Sequence, residues 1–455
     1  MRTLFFRTAL LPDGWAEDVA VSVDGRGFIT AVEAGARPEA GAERLSGAAL
    51  AGIANLHSHA HQRAIAGLGE RSGAGAGDSF WSWRAAMYRA VERMTPDDFE
   101  AVATQLYVEM LKAGFTAVAE FHYLHHDRDG RPYADPAEMA HRVVAAARSA
   151  GIAMTLLPVL YAAGGFGGRP PAEGQRRFLF DGDGFAGLIE GLRHRYADAA
   201  DVVVGVAPHS LRAVPPELLA RVAALAPDAP LHIHIAEQPQ EVADCLAHTG
   251  RRPVQWLLDK HAVDGRWCLI HATHVDAEEV RRLAASGAVA GLCPTTEANL
   301  GDGIFPAEPF LGQGGRFGIG SDSHISVSPV EELRWLEYAQ RLTTGRRAVL
   351  AGGPERSTGR RLVEAAQAGG AQAGGMPMGR IAVGCRADMV LLDDGHPLLA
   401  GRRGDALLDG WIFAGNVPLV RHVVVGGRVV VRDGRHPAED EVARRFMDAV
   451  ERLTQ

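Results

Sequence analysis

Between residues 50 and 375 the chain alternates short apolar runs with longer segments rich in Ala, Leu, Glu and Arg, and this alternation constrains the fold more than any other feature. Repeated strand–helix units build a parallel sheet, because each crossover helix covers a face of the strands it joins. Eight runs read as strands: Ile53 to His57, Ala117 to Phe121, Ala153 to Leu160, Val202 to Ala207, Leu231 to Ile235, Trp267 to Ile270, Ala288 to Cys293 and Phe317 to Gly320. Eight is the number that closes a TIM barrel. The competing arrangement is an open doubly wound sheet, but no G-x-G-x-x-G follows the first strand, which weighs against a dinucleotide fold.

With 455 residues there is room for a barrel and an appendage. Residues 1–49 hold the runs Leu4 to Phe6, Val19 to Val23 and Phe28 to Val32, separated by the turn signals Pro12-Asp13-Gly14 and Asp24-Gly25. Residues 376–455 have the same texture: Ala387 to Leu392, Val417 to Val425, a Gly426-Gly427 hairpin turn, Arg428 to Arg432, and then a terminal helix. Each piece is too small to bury a core alone. The expectation is an α/β chain: a (β/α)8 barrel over residues 50–375, carrying a small β-sandwich-like domain built from both termini.

A net charge of -8 argues against nucleic acid or an anionic membrane as partner, since both require a basic surface. No uncharged stretch reaches the roughly 18 residues of a membrane span. The apolar start, Met1 to Leu11, is broken by Arg7 and lacks a small-residue cleavage site, so a cytoplasmic protein is expected. The four cysteines, Cys245, Cys268, Cys293 and Cys385, form no C-x-x-C pair and read as reduced thiols. Strands one and two are separated by a glycine-rich insert, residues 67–90, which contains Phe80-Trp81-Ser82-Trp83-Arg84 and reads as a lid over the barrel mouth or as a dimer contact.

Polar residues gather where the strands end, and active sites of this fold are assembled from those ends. His57-Ser58-His59 follows the apolar run Leu50 to Leu56; if that run is one buried strand, its two-residue repeat puts both histidines on one face, able to grip one metal ion. In Leu231-His232-Ile233-His234-Ile235 both histidines alternate with isoleucine, and His234, nearest the strand end, is the third expected ligand, while His232 reads as structural. Asp322, after the apolar glycine-containing eighth strand, is the fourth and can accept a proton from activated water; its structural alternative is a helix N-cap. Glu237 is placed to move a proton to a departing nitrogen, and His271 to hydrogen-bond the water or the tetrahedral intermediate. His274 and His61 are expected in supporting positions.

H-x-H after strand one, His after strands five and six and Asp after strand eight together resemble the amidohydrolase superfamily. Strand four ends in Ala207-Pro208-His209-Ser210 and carries no lysine for a carboxylated bridge, so the resemblance implies one divalent ion, Zn2+ by expectation, and the deaminase branch. Within it the chain resembles the formimidoylglutamate deiminases, through His57-Ser58-His59-Ala60-His61-Gln62-Arg63, Phe80-Trp81-Ser82-Trp83-Arg84, Ala119-Glu120-Phe121-His122-Tyr123-Leu124-His125, Ala207-Pro208-His209-Ser210-Leu211-Arg212-Ala213 and the run from Cys293 to Gly303. The resemblance implies hydrolysis of N-formimino-L-glutamate to N-formyl-L-glutamate and ammonia, in histidine degradation, by a homodimer. Zinc on His57, His59, His234 and Asp322 would activate water, Asp322 with His271 taking its proton and Glu237 protonating the imino nitrogen. A dicarboxylate needs cations and donors: Arg212 offers a bidentate fork, and Gln62, Arg84, Tyr123 and His209 can donate hydrogen bonds. The alternatives are another deaminase of the branch, acting on a purine, a triazine or a different amine, and a metal-free scaffold that keeps the barrel.

Overall fold

The computed structural model describes residues 2–70, 80–353 and 356–454, and for 80–86 the backbone alone. Four N-terminal strands come first: β1 (Arg2–Leu11), β2 (Gly14–Val23), β3 (Ile29–Glu33) and β4 (Glu43–Ala51). The barrel strands are β5 (Ile53–Ser58), β6 (Phe115–His122), β7 (Ala153–Leu160), β8 (Val202–Val204), β9 (Ala207–Pro208), β10 (Leu231–Ile235), β11 (Trp267–His271), β12 (Val289–Leu292) and β13 (Arg316–Ile319). β14 (Met389–Leu392), β15 (Val420–Val425) and β16 (Arg428–Val431) complete the chain before a last helix, Glu439–Thr454.

The barrel is parallel, in the order β10-β11-β12-β13-β5-β6-β7-β8, with β9 beside β7. It closes through parallel bridges from Val206 to Leu231 and from Ser210 to His234, where His232 N–H donates to Val206 O and His234 N–H to His209 O, each at 3.1 Å. The fourth run, expected to be one strand, is therefore two short ones, β8 and β9. Both termini meet in one seven-stranded mixed sheet, ordered β16-β15-β14-β4-β1-β2-β3, with β4 parallel to β1 and antiparallel to β14. Its apolar face buries Leu4, Phe6, Val19, Val21, Leu391 and Val424.

One expectation is corrected. The run Leu50 to Leu56 is not a single strand ahead of the histidines: β4 ends at Ala51 in the terminal sheet, and β5 begins at Ile53 in the barrel. Between them Gly52 N–H donates to Asp388 O (2.8 Å), tying the crossing point to the C-terminal strands.

Helix Pro96–Ala113 packs behind β6; it starts in a reciprocal capping box of Thr95 and Asp98 and stops at Gly114, whose φ of 110° suits glycine. The second long helix after the eighth strand, Thr358–Gly374, ends beneath the barrel. Its terminal carbonyls, which lack intrahelical donors, accept from inside: Ala373 O from His232 Nε2 (2.8 Å) and Gly374 O from Thr155 Oγ1 (2.7 Å). His232 and His234 stand in register with Cys268 and Ile270, so this floor lies on the same face as the site above it. Among the described residues no helix is long and apolar enough to cross a membrane.

Candidate metal centre and active-site cavity

Four expected ligands converge at the C-terminal ends of the barrel strands. His57 Nε2 and His234 Nε2 lie 3.0 Å apart; Asp322 Oδ1 is 3.4 Å from His57 Nε2 and 3.3 Å from His59 Nε2. Three local features produce this arrangement. A register shift between Asn55 and Ser58 turns the end of β5. Gly320 leaves room for His57, since an added Cβ would stand 2.6 Å from the His57 Cβ. Asp322 adopts φ 45° and its N–H donates to His57 O (3.0 Å), which locks the end of β13 onto β5. Asp322 is thus no helix cap, and the following helix, Pro329–Thr344, is capped by Ser328.

The chemistry of this donor set fits a divalent cation. His59 Nδ1 lies 3.0 Å from Phe121 O, which places the ring proton on Nδ1 and leaves Nε2 a bare lone pair. His57 Nδ1 and His234 Nδ1 are buried without partners, and both Nε2 atoms point inward. Burial, and then the neighbouring His59, lowers His57 to about 3; burial followed by His57 does the same to His234 in direction. Burial works to raise Asp322, but the hydrogen bond to His57 and the charges of His57, His271 and His59 hold it well below the usual carboxylate range. Neutral imidazoles and an ionised carboxylate facing one another repel unless a cation lies among them, and three histidines with one aspartate are a zinc-type ligand set. His61 stands apart, with Nε2 3.1 Å from Tyr123 Oη.

Beside these groups lie His271 and two further carboxylates, Glu237 and Glu297. His271 Nε2 is 3.8 Å from Glu237 Oε1 and 4.0 Å from Asp322 Oδ2, and its Nδ1 is 3.4 Å from Glu297 Oε1. Burial opposes charge on this ring, yet Glu237, Glu297 and Asp322 outweigh it and raise His271 to about 10. Glu237 is itself raised by burial. The loop that carries it is held by Glu241, in the first turn of helix Pro239–Thr249, which accepts Ala236 N–H (3.2 Å) and Glu237 N–H (3.1 Å).

The cavity over these groups has two further walls. Gln62 and Tyr123 line one side, joined by Gln62 Nε2 to Tyr123 Oη at 2.8 Å, and Gln62 Oε1 is buried with no partner. His209 and Arg212 line the other. The His209 ring is 4.9 Å from His234, and the half-buried Arg212 stays cationic against burial through Tyr161, Glu241 and Glu237. The Arg212 guanidinium makes no hydrogen bond or ion pair with another described residue. The side chain of Arg84 lies outside the described residues, as does the glycine-rich part of the insert, 71–79; the helix Phe80–Arg93 follows.

Tyr88, Tyr161, Phe178 and Leu300 also line the cavity and were not singled out from the sequence. Tyr161 directly follows β7, so extending the strand-end rule to strand three would have found it. Phe178 comes from a 3-10 turn, Glu173–Phe178, that no periodicity marks. Of the remaining strand-end histidines, His274 binds Asp302 O (2.7 Å), and His122 stacks on Phe99.

Comparison with known proteins agrees with this architecture. The model of the amidohydrolase family matches residues 48–430, and that of the formimidoylglutamate deiminase HutF N-terminal domain matches residues 1–46. The chain is 56% identical over 454 residues to a formimidoylglutamate deiminase of Pseudomonas aeruginosa, covering 100% of both. It is 30% identical over 390 residues to a 5-methylthioadenosine/S-adenosylhomocysteine deaminase of Natronomonas pharaonis, covering 84% of this chain and 81% of the other. Among solved structures, an amidohydrolase from Brucella melitensis superimposes with a TM-score of 0.95 at 53% identity over 100% of both chains. An adenosine deaminase from Xanthomonas campestris with bound zinc does so at 0.82 and 22% identity, over 99% and 98%, and shares the fold. With the histidine–aspartate cluster at the strand ends and family matches that run from the first strand to the last sheet, the chain belongs to the amidohydrolase family, carries the N-terminal domain of the formimidoylglutamate deiminases, and is a hydrolase acting on a carbon–nitrogen bond.

Proposed function

We propose that the chain hydrolyses the amidine of N-formimino-L-glutamate to N-formyl-L-glutamate and ammonia, a step of histidine degradation, as a cytoplasmic homodimer with one zinc ion per chain. The observation that carries this reading is the 56% identity, over the full length, to the Pseudomonas aeruginosa protein of that activity. The cavity supports it chemically: Arg212 has no anionic partner among the described residues and suits a substrate carboxylate, with His209, Tyr123 and Gln62 as donors. A purine or triazine would leave that guanidinium unpaired. His209 at the end of strand four, where a bridging lysine would stand, favours a single ion. The same reading divides the chain into a barrel of residues 50–375 and a small domain of residues 1–49 and 376–455.

His57, His59, His234 and Asp322 would hold the metal, which when bound acidifies water and makes it a nucleophile near neutral pH. Asp322, ionised, takes the water's proton as the oxygen adds to the formimino carbon. Glu237, whose pKa burial raises, delivers a proton to the imino nitrogen, which takes up the π electron pair of the C=N bond as the C–O bond forms. His271 donates a hydrogen bond to the oxygen while the carbon is tetrahedral. Asp322 then passes its proton to the nitrogen, the C–N bond breaks with its electron pair leaving on ammonia, and the added hydroxyl returns its proton to Glu237 as the formyl carbonyl forms.

Glu237→Gln keeps the shape and removes the proton carrier. Expected is a loss in kcat of about 10²–10⁴-fold with zinc content unchanged, read by ammonia release and metal analysis on one sample. Near-parent turnover would remove Glu237 from its role, and parent protein inactive on N-formimino-L-glutamate with zinc bound would overturn the substrate.

A further inference from the structure

The ligand pair leaves the sheet where the ladder is irregular. β5 and β6 pair at Asn55–Val118 and next at Ser58–Glu120, so Leu56 and His57 make no regular step between them. Side chains span the gap. Glu120, 1% exposed, accepts Ala60 N–H at Oε1 (2.6 Å) and Ser58 O–H at Oε2 (2.5 Å), and the Tyr107 O–H also reaches Oε2 (3.1 Å). Ser58 and Ala60 are the two neighbours of His59.

On the opposite side His324, fully buried, receives His59 N–H at Nε2 (3.2 Å), while its Nδ1 meets Ser321 Oγ (2.9 Å), which in turn accepts from Asn55 Nδ2 (2.5 Å). A backbone N–H can only donate, so His324 Nε2 is an acceptor and its proton sits on Nδ1. The single Ser58 proton therefore goes to Glu120, which gathers three donors. Among the described residues Glu120 has no ion-pair partner. Burying an unpaired carboxylate is costly, and no step of the reaction uses this one.

We propose that Glu120 is a positioning residue: its carboxylate replaces the missing ladder bonds and holds the His57–Ala60 segment so that both imidazoles meet the metal. This rests on the reading that His57, His59, His234 and Asp322 bind zinc. Glu120 touches no reacting atom and acts only through Ser58 and Ala60.

The test is zinc affinity of the whole protein, measured by competition with a fluorescent chelator, in the parent, Glu120→Gln, Ser58→Ala and Tyr107→Phe. An amide can accept either Ala60 N–H or Ser58 O–H but turns an NH2 toward the other donor, so Glu120→Gln is expected to weaken zinc binding about 10–100-fold, the usual cost of losing a residue that orients metal ligands. Ser58→Ala is expected to weaken it in the same direction. Tyr107→Phe removes a donor from the same carboxylate without touching the histidine segment and is expected to bind zinc like the parent. Parent affinity in Glu120→Gln would overturn the proposal; should that variant fail to fold, parent affinity in Ser58→Ala does so. An equal loss in Tyr107→Phe would also overturn it, since the effect would then be general loosening. Parent protein that binds no zinc would instead overturn the metal reading.

Discussion

At the scale of single residues, like side chains in the site differ by what surrounds each. His57, His59 and His234 are neutral because they are buried together, whereas His271, one ring away, is raised because three carboxylates outweigh the same burial. Arg212 lines the cavity and, among the described residues, forms no ion pair, with Glu237 and Glu241 acting on it only at longer range. Arg212→Gln should therefore raise KM for N-formimino-L-glutamate about 10–100-fold, the worth of a charge-assisted hydrogen bond, and change kcat little, as steady-state kinetics will show. The convergence of His57, His59, His234 and Asp322 was legible in the sequence because residues of metal-ligand type stand together at strand ends. Glu120 was visible only as one polar residue among several; that it faces Ser58 and Ala60 follows from the pairing of β5 with β6.

At the scale of elements, the strand pattern was readable wherever an apolar run had one environment. Ala153–Leu160 and Leu231–Ile235 match their expected bounds residue for residue. The runs that misled are those crossing an environment: Leu50 to Leu56 is apolar throughout but changes sheets at Gly52, and Val202 to Ala207 is interrupted where the barrel closes. Helix Thr358–Gly374 shows the converse, a glycine that reads as a defect in a helix and is a contact. An added Cβ at Gly369 would fall on the Phe317 carbonyl of β13, and backbone cannot yield as a side chain can. Gly369→Ala should thus destabilise the protein by about 1–3 kcal/mol in urea unfolding, despite the better helix propensity of alanine.

At the scale of the whole molecule, the terminal sheet and the barrel are joined by a buried ion pair. Arg386 Nε donates to Asp388 Oδ2 (3.1 Å), its Nη1 donates to Ala200 O ahead of β8, and Asp388 Oδ1 accepts Gly426 N–H (2.7 Å) in the β15–β16 hairpin. Asp388→Ala would leave a buried guanidinium unpaired and should cost about 3–5 kcal/mol in chemical denaturation, with kcat of the folded enzyme retained because the pair lies away from the cavity. By itself the sequence determined the barrel, the meeting of the termini and the residue types of the candidate metal cluster, since hydrophobic period and side-chain chemistry are local properties of a chain. The tertiary structure alone decided which side chains face each other: the aromatic wall of the cavity, the three carboxylates around His271, and the carboxylate behind the histidine pair. Those depend on bulges, closures and loop paths that bring together residues distant in sequence, and no local pattern encodes a distance of that kind.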